Sequence, residues 1–169
     1  MRVLRLVLLT VLGVWLEVSF LGAWRPFGIV PNLFLVIILI AAATLSKASD
    51  TLAMAVGGGI LLDLVSGADF GLRTAFFSFL ALLVIVVRRT GADFDHLSMK
   101  LAGVAGGTLL YSVTIIISLL GQGTHIGWAV AAGRVGVELV LNLVLTLLLD
   151  VPLHRLLETK AGSVPVIGQ

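Results

Sequence analysis

The sequence predicts an all-α fold, a polytopic membrane bundle of about six transmembrane helices. Three observations carry that expectation: 59% of the 169 residues are hydrophobic, only 12% are charged, and the apolar residues gather into long runs separated by short polar connections. Soluble domains are nearer to about 45–50% apolar and about 25% charged. A water-soluble fold of this size leaves too much surface exposed to hide the excess; lipid accepts it. One transmembrane domain is expected over residues 1–157, with 158–169 as a short cytoplasmic tail, disordered because Gly, Ser and Pro recur in it.

A hydrocarbon core about 30 Å thick asks for about 20 apolar residues per helix. The first run, Val3 to Trp24, follows Arg2 and Arg5 in the manner of a signal peptide. However, Glu17 interrupts it and further runs follow, so it reads as an uncleaved helix. The second, from Pro31-Asn32 to Ser46, starts with a proline whose missing N–H is harmless in a first helical turn. Lys47 to Asp50 reads as a polar turn, and the third run spans Thr51 to Ser66. After the Gly67–Gly71 loop, the fourth covers Leu72 to Val87 and stops at Arg88-Arg89. The fifth runs from Met99 to Leu120 and the sixth from Ile126 to Leu153. Runs two to four are short, about 15–16 residues or roughly 24 Å of helix, which calls for thinned lipid or shielded ends; the alternative is a hairpin of runs two and three that does not cross fully, which would leave five or four spans.

With the N-terminus in the cytoplasm, Arg2, Arg5, Lys47, Arg88, Arg89, Lys100, Arg155 and Lys160 fall inside, and only Arg25 and Arg73 outside. Eight against two satisfies the positive-inside rule with both termini cytoplasmic. Trp24 and Trp128 then lie at the outer boundary, where interfacial aromatics belong. The basic residues sit between apolar runs rather than in a patch, so the formal charge of +2 points to topology and not to nucleic acid. Small-residue spacings at Gly103/Gly107, Ala129/Gly133 and Ala132/Gly136 suit close helix packing, as do Gly57 to Gly59.

Glu17, Asp63, Arg134 and Glu138 all fall inside the apolar runs. At about 2.5–3.5 kcal/mol each when exposed at mid-membrane, they must pair, protonate or meet water. Glu17, Asp63 and Arg134 share the outer half, so Arg134 is expected to be the counter-ion of Glu17 or Asp63. Arg134, Glu138, Asn142, Thr146 and Asp150 recur every four residues, an i±4 ridge that drifts by about 40° per step. It reads as a polar seam against a partner or cavity, or as a local Arg134–Glu138 pair with Asn142 satisfied nearby; a proton or ion path is a further reading.

Catalytic and metal signatures are missing. His96, His125 and His154 lack ligand spacing, and there is no nucleophile elbow or phosphate loop. Asp93 and Asp95 lie in a polar connection with no pocket in prospect. With no cysteine, disulfides and thiolate chemistry are excluded. No cofactor is expected.

Pro31-Asn32-Leu33-Phe34-Leu35 opens a very apolar helix, followed by Gly58-Gly59-Ile60-Leu61-Leu62-Asp63-Leu64-Val65-Ser66-Gly67 and Phe70-Gly71-Leu72. This stretch resembles the rod shape-determining protein MreD family, with its P-[DN]-L-L-L helix start and its G-x-x-x-G-L-L-x-D-x-x-[SG]-G run; the Gly-Leu of that run reads Gly59-Ile60 here. The likeness covers Pro31 to Leu72, and the remainder agrees in hydropathy. It implies a non-catalytic scaffold of the bacterial inner membrane. Such a scaffold partners MreC, a bitopic membrane protein, and works with the MreB cytoskeleton and a RodA-type peptidoglycan synthase during cell elongation. It also marks Pro31, Asn32, Gly59, Asp63, Gly67 and Gly71 as motif residues, with Asn32 capping its helix and Asp63 binding polar groups near the outer face. Glu17, Arg134, Glu138, Asn142 and Asp150 stand beside them as the buried polar seam.

Two other readings compete. A substrate-binding membrane subunit of an energy-coupling vitamin transporter has similar size, but the first helix offers only Gly13, Ser19, Gly22 and Ala23 as small residues, without the Ala-x-x-x-Ala face of that class. An intramembrane lipid enzyme would need convergent polar groups at one depth.

Overall fold

The computed structural model describes residues 2–25, 28–66, 71–91, 94, 96–124 and 127–157. They form six helices, with no strand among the described residues: α1 (Arg2–Trp24), α2 (Leu33–Thr44), α3 (Ala48–Ser66), α4 (Leu72–Arg89), α5 (Leu97–Gly121) and α6 (Trp128–Leu157). Helices α1, α3, α5 and α6 are long and apolar enough to cross a membrane. Helix α2 is apolar but has 12 residues, roughly 18 Å at the helical rise, and α4 carries Arg73 at one end and Arg88-Arg89 at the other. Gly67, Asp93, Asp95, His125, Lys160 and the tail 158–169 lie outside the described residues.

The bundle is organised around α2. From Leu33 to Ala43 every residue is buried, and α2 touches all five other helices. The sequence permits this placement, because a helix that is apolar on every side fits either lipid or the interior of a bundle. Glycines let the neighbours close on it. A Cβ on Gly58 of α3 would enter the Phe34 ring, and one on Gly13 of α1 would lie 2.6 Å from Ile37 Cδ1. Between α3 and α4, a Cβ on Gly59 would stand 2.6 Å from the Thr74 Cα. Phe34 meets Phe77 edge-on at 5.1 Å between ring centres, and Phe76 meets Tyr111 in the same way at 5.1 Å, which ties α2, α4 and α5 together.

Several boundaries differ from the sequence expectation. Helix α3 starts at Ala48, so the expected Lys47–Asp50 turn is largely helical. Asp50 suits a first helical turn and pairs with Arg2 at 2.7 Å. Helix α4 runs on to Arg89 and α6 continues past Pro152 to Leu157. Of the three runs expected to be short, α2 alone is much shorter than a span. Helix α1 contains a π-helical stretch, Leu16–Leu21, which hydropathy does not reveal. Among the small-residue spacings, Gly107 packs on Leu39 and Leu80, whereas Gly133 and Gly136 have open space where a side chain would begin. The Ala129, Ala132, Gly133 and Gly136 positions are exposed, so among the described residues they do not sit at a tightly packed helix contact.

Candidate functional site

Because α2 is too short to carry both its ends to water, its terminal backbone groups must be satisfied by side chains. Asn32 caps the N-terminus, its Oδ1 accepting the Leu35 N–H at 2.9 Å. The Glu17 Oε2 accepts the Phe34 N–H at 2.7 Å, and the Asn142 Oδ1 accepts the Asn32 N–H at 2.8 Å. A carboxylate here also meets the positive end of the helix dipole. At the other end, Arg88 Nη1 donates to the carbonyls of Ala42 at 2.7 Å and Leu45 at 2.9 Å. Glu17 sits in the π-helical stretch of α1, a distortion often found at functional positions.

The start of α4 is served in the same manner. Asp63, buried at the end of α3, receives the N–H groups of Gly71 at 3.0 Å, Arg73 at 3.1 Å and Thr74 at 3.0 Å, and the Thr74 hydroxyl at 2.6 Å. Gly71 takes φ +97°, a left-handed turn that glycine adopts without strain. Asp63 therefore fastens the α3–α4 hairpin by its own carboxylate.

A third polar set joins α5 to α6. Lys100 Nζ meets Asp150 Oδ1 at 2.7 Å, Asn142 Nδ2 donates to Thr108 Oγ1 at 3.0 Å, and Ser112 Oγ donates to Glu138 Oε2 at 3.4 Å. The steps of eight and four residues along α5 are matched by equal steps back along α6, so two four-residue ridges meet antiparallel. The seam read from α6 is therefore filled from within by Lys100, Thr108 and Ser112 of α5. Thr146 turns back on its own helix, its hydroxyl donating to the Asn142 carbonyl at 2.7 Å.

Arg134 does not join these sets. The expectation that it is the counter-ion of Glu17 or Asp63 is overturned: Asp63 is taken up by the first turn of α4 and Glu17 by that of α2. Among the described residues, Arg134 makes no ion pair within 4.0 Å. It is exposed on α6 and borders a cavity of about 530 Å³ at the end of the bundle where α1, α3 and α5 finish and α4 and α6 begin. Glu17, Arg73, Tyr111, Arg134 and Glu138 give that cavity its polar wall.

Sequence reasoning singled out Pro31, Asn32, Gly59, Asp63 and Gly71, and the structure places all five around the joints of α2, α3 and α4. It did not find Arg88 or Lys100, since a basic residue near the end of an apolar run reads as a topology signal. Among the described residues, no group of three or more His, Cys, Asp or Glu side chains is gathered as metal ligands would be. No family model, curated protein or solved structure matches this chain.

Proposed function

We propose that this protein is a non-catalytic scaffold of the bacterial cell-elongation machinery, similar to the MreD family. It would cross the bacterial cytoplasmic membrane six times with both termini inside, α2 and α4 completing the set. It would hold the transmembrane segment of an MreC-like bitopic protein, and through it act with the MreB cytoskeleton and a RodA-type wall synthase. One observation chiefly supports the reading. The residues that carry the resemblance are those that join α2, α3 and α4: Asn32 caps one helix, Asp63 with Gly71 starts another, and Gly59 brings Thr74 into contact. A motif with such a geometric purpose favours a shared architecture over a chance likeness in apolar sequence. The polar side chains that are hydrogen-bonded across helices chiefly hold helix ends and helix pairs together, which suits a scaffold.

The test is depletion in a rod-shaped host together with co-purification. Depletion is expected to give round cells, and an MreC-like protein is expected to co-purify. Cells that stay rod-shaped, with no such partner recovered, would overturn the reading.

The cavity of about 530 Å³ favours a second reading, the substrate-binding subunit of an energy-coupling vitamin transporter. A vitamin-uptake defect with normal cell shape would select it.

A further inference from the structure

The cavity beside Arg134 lies within the size range of small-molecule sites, about 300–1,000 Å³, and its wall has two distinct parts. One is apolar and includes Val18, Val30, Val65, Ile115, Ile116 and Leu119. The other holds two acids, Glu17 and Glu138, and two bases, Arg73 and Arg134, with Tyr111 beside them. The Glu17 Oε2 accepts the Phe34 N–H and the Glu138 Oε2 accepts the Ser112 hydroxyl. Neither Arg73 nor Arg134 has an ion pair among the described residues. Each guanidinium presents five N–H donors in a planar fork that matches a carboxylate or phosphate. Glu17 and Glu138 act on these charges from beyond ion-pair distance, so a guanidinium fork at the cavity wall can take the carboxylate or phosphate of a molecule that enters it.

We infer that the cavity binds an amphiphilic organic anion, a phosphate or carboxylate on an apolar body, with Arg73 and Arg134 taking the charged group and the valine, isoleucine and leucine wall taking the rest. The occupant has two possible sources with this chemistry: an anionic lipid from the surrounding bilayer, or a soluble anion. Nothing in the inference requires the scaffold reading, and it stands or falls separately.

The experiment is thermal unfolding of the full-length protein in non-ionic detergent, titrated in parallel with phosphatidylglycerol, with phosphatidylcholine and with hexyl phosphate. At least one of the two anionic probes is expected to raise the melting temperature where phosphatidylcholine does not. Phosphatidylglycerol alone would identify a lipid occupant, and a response to hexyl phosphate a site open to soluble anions. R73Q and R134Q should each weaken the stabilising probe about tenfold or more. R5Q, which alters the opposite end of α1, should leave it unchanged. R73Q keeps the backbone N–H that Asp63 requires, and R134Q alters an exposed side chain, so R134Q carries the test if R73Q fails to fold. If neither anionic probe exceeds phosphatidylcholine, or if R5Q weakens the response as much as R134Q does, the inference is overturned.

Discussion

The Glu17 carboxylate accepts the backbone N–H of Phe34 at 2.7 Å, so a side chain of α1 completes the first turn of α2. That N–H has no partner within its own helix, and the surrounding packing leaves α2 no exposed residue from Pro31 to Ala43. Hydrogen bonds to charged groups contribute about 1.5–3 kcal/mol, neutral ones about 1 kcal/mol. Glu17→Ala is therefore expected to destabilise the protein by about 2 kcal/mol, and Glu17→Gln, which keeps an acceptor, by roughly half of that. Thermal unfolding in detergent reads both. Two variants as stable as the parent would show that the cap contributes nothing.

Asp63 has a heavier duty, with four donors on one carboxylate. An asparagine in its place would turn an NH2 toward N–H groups that need acceptors. Asp63→Asn is expected to cost about 3 kcal/mol or more, the scale of a buried polar network broken at its centre. Thr74→Val removes a single donor and should cost about 1 kcal/mol. If the two variants melt together, the carboxylate is not what holds the start of α4.

These contacts separate what the sequence makes legible from what it hides. Pro31-Asn32 before an apolar run is a local start signal, and Asp63 falls beside a glycine-rich turn, so both could be singled out from their neighbours in the chain. Glu17 was conspicuous as a charge, but its partner was not: the N–H of Phe34 becomes reachable only when α1 packs on α2, and the π-helical stretch that carries Glu17 has no signature in hydropathy. The α6 ridge was visible as a repeat of four, yet its complement on α5 alternates Lys100, Val104, Thr108 and Ser112, too apolar to stand out. Arg88 looked like a topology charge because its acceptors, the carbonyls of Ala42 and Leu45, belong to the backbone of another helix. A run with no polar face fits lipid as well as the bundle interior, so the burial of α2 was not legible from its composition. That its shortness is compensated by borrowed caps requires the tertiary structure.

The three adjacent glycines of α3 offer a graded test. A Cβ at Gly57 meets nothing within 4 Å, at Gly59 it approaches the Thr74 backbone at 2.6 Å, and at Gly58 it enters the Phe34 ring. Gly57→Ala should be neutral or stabilise by up to about 1 kcal/mol, the helix-propensity difference. Gly58→Ala and Gly59→Ala should each destabilise by about 1–3 kcal/mol, because a packed interface must move apart. The Gly59 variant should be the less easily relieved, since backbone cannot rotate away as a ring can. Melting temperatures of the three variants settle the order, and a Gly57 variant as damaged as the others would contradict this packing.

Lys100 and Asp150 pair at 2.7 Å, with the lysine side chain 4% exposed and the aspartate 16%. Removing one partner leaves the other charge uncompensated, which typically costs about 3–5 kcal/mol, whereas replacing both by apolar residues of similar volume is often neutral or better. Lys100→Met and Asp150→Leu are thus each expected to lower stability severely, and the double variant to recover most of the loss. A double-mutant cycle on detergent-solubilised protein measures the coupling. Strict additivity would mean that the ridges of α5 and α6 are held by their apolar neighbours and that this pair adds nothing. Recovery in the double variant would show instead that the pair is tolerated because it is matched, and that the charge of Lys100 serves the α5–α6 joint before it serves topology.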